Sequence, residues 1–217
     1  MNSLAKGRAG PRLTRAEAKA ETRRRLLQAA EATFRRDGYH GASLERIAAD
    51  AGYTTGAIYS TFESKAGVMM ALVAARAERR RSVWTEVLAA AATVEDFVAE
   101  VSRQAAQEGA AERDWWAVVI EFMTVIARDE QLRACYAEIH EESLSALAGS
   151  ISTWTQREGE HLAVAPQRLA IVVTALARGL GVEALVAPDA VPEDLIVEAQ
   201  LTLLRGAQQG RKPEAGG

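Results

Sequence analysis

Apolar positions recur along most of the chain at spacings of three and four, the period of one buried helical face, and no convincing strand competes with them. Leu44–Asp50 and Thr54–Thr61 are short amphipathic segments flanking Ala51-Gly52-Tyr53, a break that has room only for a tight turn. Ile47, Ala48 and Ala51 share one face, Ile58 and Phe62 another, and Gly52 sits where the first segment must stop. This is a helix-turn-helix pattern, with small alanines that let its two helices cross closely.

The same period predicts the other elements. Thr14-Arg15-Ala16-Glu17 has the form of a capping box and starts a helix that runs to about Arg36. Leu27, Ala30 and Phe34 face the helix-turn-helix, and Asp37-Gly38 ends the helix. Ser64 is an N-cap for a helix that passes through Met69, Leu72, Val73, Ala75 and Val83 to about Ala92. At 1.5 Å per residue it would span roughly 40 Å and connect the helix-turn-helix unit to a second domain. Helices are then expected over Thr93–Gln107, Asp114–Ala127, Gln131–Glu158, Pro166–Val186 and Pro192–Arg205, separated by Gly109, Asp129, Gly159 and Pro188. The expected fold class is all-α, with a three-helix domain over 14–63 and a helical domain over 64–207. The Gly/Pro-punctuated residues 1–13 read as a disordered basic arm and 208–217 as a disordered tail.

The second helix of the pair is a poor core element. Thr54, Thr55, Gly56, Ala57, Tyr59 and Ser60 offer hydroxyls and a small profile but little apolar bulk. A duplex major groove admits one α-helix, where hydroxyls can meet phosphates or base edges and small residues avoid clashes. Lys65, beside the free N–H groups of the next helix, suits a phosphate. Arg23, Arg24 and Arg25 lie near the DNA backbone or form a solvated face. The charge distribution points to the same third of the chain for a polyanion: residues 1–65 carry 12 Lys/Arg against 7 Asp/Glu, and residues 66–217 carry 14 against 22.

Phe34, Gly38-Tyr39, Ser43, Ile47-Ala48, Ala51-Gly52, Gly56, Ile58-Tyr59, Phe62 and Ser64-Lys65, in that order and spacing, resemble the TetR (tetracycline repressor-like) transcriptional regulators. The resemblance covers roughly the first third of the chain. Thr55 stands where many members carry Lys, and Ser60 and Thr61 where many have His or an aromatic, so the operator is not carried over. The resemblance implies DNA binding through Ser43, Thr54, Thr55, Gly56, Ala57, Tyr59, Ser60 and Lys65, a small-molecule effector bound between helices of the second domain, and a homodimer.

Within the second domain, apolar residues cover the whole circumference of Trp115–Ile126, so that helix must be central. The pattern fits plain core or the lining of a cavity, and the resemblance raises the cavity. The candidate effector residues are Trp84, Trp115, Trp116, Glu121, Phe122, Met123, Trp154 and Arg178. Glu121 is the ionisable residue inside that apolar run and needs solvent or a partner. Arg178 is the partner expected, and a polar effector the alternative. Arg76, Arg79, Arg80 and Arg81 read as a solvated face. The last two helices are apolar on more than one face, and Leu169, Val173, Leu176, Leu180, Ile196 and Leu203 are the candidate dimer contacts.

Other chemistry is sparse. Nearly half of the 217 residues are hydrophobic, which is enough for a substantial core, and the single cysteine, Cys135, cannot form an intramolecular disulfide and reads as a small core residue. No apolar stretch follows the basic N-terminus, and the longest apolar run, Leu169–Ala177, is short of the roughly 18 residues of a membrane span. A cytoplasmic protein without membrane contact is expected. There is no phosphate-cradling glycine loop and no Ser/His/Asp set; His140 with Glu141 and Glu142 lacks metal-site spacing. The chain is therefore expected to need no cofactor and to be no enzyme. It reads as a ligand-responsive repressor on a pseudo-palindromic double-stranded DNA operator, released by a small, largely apolar effector. A DNA-binding activator or architectural regulator without an effector, and a helical enzyme with an apolar pocket, are the rival readings.

Overall fold

The computed structural model describes residues 14–159 and 161–208; for residues 94, 95, 98, 101, 102, 104–112, 193, 196 and 208 it describes the backbone alone. Eight helices, α1 (Arg15–Gly41), α2 (Leu44–Ala51), α3 (Thr55–Phe62), α4 (Lys65–Ala90), α5 (Val94–Ile126), α6 (Glu130–Glu158), α7 (Pro166–Val186) and α8 (Glu193–Gln208), account for the fold, with a 3-10 turn at Pro188–Ala190 and no strand among the described residues. The expected arm at 1–13 and the tail beyond Gln208 lie outside the described residues.

The starts of the helices follow the caps. Thr14 and Glu17 exchange the reciprocal bonds of a capping box, Ser43 caps α2 by accepting from Arg46 N–H, and Ser64 caps α4 by accepting from Gly67 N–H. Gly67 is also a steric requirement, because a Cβ there would lie 2.0 Å from the Phe62 carbonyl oxygen where α4 leaves the end of α3. At its other end α4 exposes carbonyls that α6 satisfies: Arg157 donates to Ala89 O at 2.6 Å, and the Trp154 indole donates to Ala91 O at 3.3 Å.

Leu26, Ala30, Phe34, Ile47 and Ile58 are fully buried in the N-terminal bundle, and the same cluster continues through Met69 and Leu72 of α4 into Trp115, Val118 and Phe122 of α5. The two domains thus share one core at their junction. Tyr39 stands in it, 5.8 Å from the Phe34 ring and 4.9 Å from the Phe122 ring. A second cluster, including Leu88, Leu147, Trp154, Leu169 and Leu204, fills the far end of α4, α6, α7 and α8.

Several expectations are corrected. Leu26 rather than Leu27 is the fully buried residue of its turn. The break expected at Gly109 is absent, and α5 runs unbroken for 33 residues. α1 continues past Gly38 to Gly41 through a kink. Cys135 is exposed, not core. α7 as a whole is long and apolar enough to cross a membrane by length and composition, which its longest uninterrupted apolar run had hidden.

Candidate functional site

α3 shows two faces. Ile58 and Phe62 point into the bundle, while Thr54, Gly56, Tyr59 and Ser60 are exposed and Thr55 and Ala57 half-exposed. Tyr59 is 52% exposed, a large aromatic with no packing reason to be there. Thr54 makes no side-chain cap bond, so its hydroxyl is not committed to the helix, whereas Ser60 Oγ donates to Ala57 O. Ser43 is exposed on the adjoining cap of α2. Of the α1 arginines, Arg24 and Arg25 both bind Glu21 and hold its carboxyl down to about 2. Arg23 instead lies over the Phe62 ring, 5.1 Å from its centre.

Lys65 departs from the expected phosphate-facing role. Its Nζ donates to Ala42 O at 2.8 Å and His40 O at 3.1 Å and lies 4.9 Å from the centre of the Tyr39 ring. Burial pulls its ammonium below the usual lysine range, and Glu121 pulls it partly back. With two of its three N–H groups on carbonyls, it fastens the α1–α2 corner to the start of α4.

Glu121 reaches the same corner. Gly38 adopts φ 73° and ψ 172°, which interrupts the α1 hydrogen-bond ladder, and Glu121 Oε2 accepts from the His40 N–H at 3.0 Å. A Cβ on Gly38 would lie 2.6 Å from Glu121 Oε1, so glycine is required both for the positive φ and for the approach of the carboxylate. The expected Glu121–Arg178 pair does not form. The reason is position: Glu121 faces α1, and Arg178 reaches His140 Nδ1 on α6 at 3.2 Å.

A cavity of about 80 Å³ opens between α4, α5, α6 and α7, lined by Trp84, Trp115, Trp116 and Arg178 among the expected residues. Phe122 and Met123 pack instead in the junction core, and Trp154 lines a separate, wholly apolar cavity of about 40 Å³ with Leu88, Phe97, Leu147, Ile151 and Val173. Of the α4 arginines read as a solvated face, Arg79 is exposed as expected and the other three are corrected. Arg76 binds Glu31 of α1 at 2.9 Å and stacks on Trp115 at 4.5 Å, Arg80 lies 5.9 Å from the Trp84 ring centre, Arg81 reaches Glu78 and Ser143, and all three line the cavity. Tyr136, His140, Ser143 and Thr174 complete the polar wall and were not among the expected residues. One sequence signal could have found all but Ser143. Arg76/Arg80/Trp84, Tyr136/His140 and Thr174/Arg178 are each at spacing four, one ladder per helix. Burial, and then the Arg178 charge, push the His140 imidazole below its ordinary value, so it faces Arg178 neutral and accepting. Among the described residues no group of three or more metal-ligating side chains comes together.

The expected dimer residues are also redistributed. Leu169 is core, Val173 lines the apolar cavity, Leu203 packs on the second cluster, and the Ile196 side chain lies outside what is described. Leu176 and Leu180 are half-buried. The outward stripe of α7 is Ile171, Val172, Ala175, Val182 and Val186, the last 82% exposed.

The model of the family described as bacterial regulatory proteins, tetR family, matches residues 26–72, and that of the BetI-type transcriptional repressor C-terminal domain matches residues 103–207. The uncharacterized HTH-type transcriptional regulator TtgW of Pseudomonas putida is 46% identical over 65 residues, 30% of this chain and 48% of that protein. SrpR of Pseudomonas putida is 45% identical over 65 residues, again 30% of each. The match thus spans about half the length of the first and under a third of the second. A Rhodococcus sp. TetR-family regulator superposes with TM-score 0.71 at 20% identity, covering 88% of this chain and 100% of its own. A transcriptional regulator from Saccharomonospora viridis, solved in complex with choline, superposes with TM-score 0.68 at 21% identity, covering 86% and 96%. At these identities the superpositions show the fold. Fold and family are those of transcriptional regulators rather than enzymes. With a helix-turn-helix matched at one end and a regulator's C-terminal domain at the other, this chain belongs to the TetR family of transcriptional regulators.

Proposed function

We propose that the protein is a cytoplasmic, ligand-responsive repressor that binds a pseudo-palindromic operator as a homodimer and leaves it when a small molecule fills the cavity between α4 and α7. The observation that supports this best is α4 itself. One unbroken helix starts at the Lys65 fastening beside α3 and carries Arg76, Arg80, Arg81 and Trp84 into the cavity wall. A change in that wall therefore acts on the element that positions α3. Two further ties run the same way, from Arg76 to Glu31 of α1 and from Glu121 to the α1 kink.

The DNA face of the proposal is Ser43, Thr54, Thr55, Gly56, Ala57, Tyr59 and Ser60, with Lys65 holding the frame behind it. The exposed stripe of α7 is the proposed self-contact, which also gives its apolar surface a role other than a membrane span. Arg178 in the middle of the same helix points the other way, into the cavity. Two-fold symmetry would set the two α3 helices about 34–36 Å apart, one turn of duplex. A ligand shifts the balance only by binding one conformation better than the other, and a coupling of about 1–3 kcal/mol would weaken operator binding roughly 5–150-fold.

Fluorescence anisotropy with duplexes from the DNA flanking the protein's own gene tests this. Salt-dependent binding of a dimer is expected, lost in Tyr59→Ala while the variant still folds, and weakened by a compound that occupies the cavity. Binding that no cavity ligand alters would leave a regulator without an effector, and failure of the folded protein to bind any duplex would end the proposal.

A further inference from the structure

The cavity wall holds four arginines and no carboxylate. Three of the four are already engaged. Arg76 is ion-paired to Glu31 and stacked on Trp115, Arg81 is ion-paired to Glu78, and Arg80 lies across Trp84 and has further partners. Arg178 differs: among the described residues no Asp or Glu pairs with it, and its hydrogen-bond partner is an imidazole, His140 Nδ1 at 3.2 Å. A guanidinium offers five donors and no acceptor, so one bond to a neutral ring leaves most of its fork open.

A second unmet group lies beside it. Thr174, one turn earlier on the same face of α7, has its Oγ1 buried against the cavity with no hydrogen-bond partner among the described residues. A buried hydroxyl without a partner is costly and calls for an explanation. An open guanidinium fork and a hydroxyl, side by side on a wall that also presents Trp84, Trp115, Trp116, Val119 and Leu144, call for the same thing: two acceptor oxygens on an apolar body. A quaternary ammonium would face the unmatched Arg178 cation in a wall without a carboxylate, and a neutral alcohol or amide would leave the Arg178 charge unmatched. One unmatched cation fits one negative charge. The space is also limited. A cavity needs about 10–15 Å³ on this measure to hold one water and one of about 150 Å³ holds a benzene, so about 80 Å³, open to one side, receives a small carboxylate and at most part of a single ring.

We propose that the effector is a small organic monocarboxylate, its carboxylate received by Arg178 and Thr174 and its apolar body held between the Trp84, Trp115 and Trp116 side chains. This rests on the reading of the cavity as the effector site, and the experiment separates the two. Isothermal titration calorimetry of the full-length protein would use benzoate and phenylacetate as probes, with benzamide, benzyl alcohol and benzyltrimethylammonium as neutral and cationic controls. The carboxylates should bind, and each control about 10-fold or more weakly. Arg178→Met should weaken carboxylate binding about 10- to 150-fold, and Arg178→Lys, which keeps the charge but loses the fork, by less. Thr174→Val, which keeps the shape, should weaken it several-fold and covers the case in which the Arg178 variants fail to fold. The proposal is overturned if a control binds as tightly as benzoate, if neither carboxylate binds the folded protein, or if the folded Arg178→Met and Thr174→Val proteins both bind benzoate unchanged. Operator release, read separately by anisotropy, tests the effector reading. Carboxylate binding that depends on Arg178 but leaves DNA bound would keep the site and remove its regulatory role.

Discussion

The helix-turn-helix bundle is closed and the space between α4, α6 and α7 is not, and two threonines show the difference. Thr33 is fully buried in α1, and its hydroxyl donates to Asp50 at 3.4 Å, a long bond but a partner that comes from within the fold. Thr174 is buried at Oγ1 with none among the described residues. The same contrast holds for charge: Glu31 of α1 has Arg76, whereas among the described residues Arg178 has an imidazole and no carboxylate. A domain whose function is to present an outer surface can satisfy all its inner groups. One that admits a molecule, as proposed for the second region, leaves some unsatisfied until the molecule arrives.

Packing in the closed region should therefore be the less forgiving. Phe34→Ala empties a fully buried site between Tyr39 and the helix-turn-helix core and is expected to cost about 3–5 kcal/mol in urea unfolding, with operator binding lost at temperatures where wild type is folded. A loss under about 1 kcal/mol would mean that the bundle collapses around the gap and that the contrast is weaker than drawn. The junction comes next. Glu121→Ala removes the acceptor for the His40 N–H and the charge facing Lys65, for an expected loss of about 1–2 kcal/mol, at the lower end for a bond to a charged group because the carboxylate is part-exposed. Glu121→Gln, which keeps an acceptor oxygen, should lose less. If both variants match wild type, the corner is held by Lys65 and Tyr39 alone.

The same contrast governs what could be read from the chain. The helix-turn-helix was legible because each of its elements is short and apolar on one face, so Ser43, Gly52, Ile47, Ile58 and Phe62 each had one reading. α7 is apolar on several faces, and periodicity cannot say which one meets the core; Leu169 and Val173 turned inward, and Ile171, Val182 and Val186 outward. Glu121 was recognised as a charge that needed a partner and Lys65 as a phosphate contact, but both meet backbone groups at the kinked end of α1, and no side-chain pattern encodes those. The arginines of α4 resemble a solvated face in sequence because the tryptophans that they stack on, and Glu31, are distant along the chain or one turn away on the same helix.

The threonine pair gives a smaller, signed test. Thr33→Val should destabilise by about 0.5–1.5 kcal/mol, since it removes a bonded hydroxyl, whereas Thr174→Val should leave the ligand-free protein as stable or up to about 1 kcal/mol more stable, since it removes an unbonded one. Equal losses from the two would mean that Thr174 is satisfied in solution and would take away half of the argument for an anion site.

The finest effect is electrostatic. His140 sits below the ordinary imidazole value of 6.5, first because it is buried and second because Arg178 faces it. The neutral ring accepts from Arg178, and the charged one cannot. Because the folded-state value is depressed, the stability that the neutral ring confers is complete above pH 6.5 and is lost as pH falls through the depressed value. In Arg178→Met the second cause is gone and the first remains, so the titration midpoint of the ring, followed by NMR, should rise yet stay below 6.5. A bound carboxylate should move wild type in the same direction by offsetting the Arg178 charge, and should move the variant less. A midpoint indifferent to both the substitution and the carboxylate would show that the guanidinium does not face the ring in solution, and the open fork would then belong to some other partner.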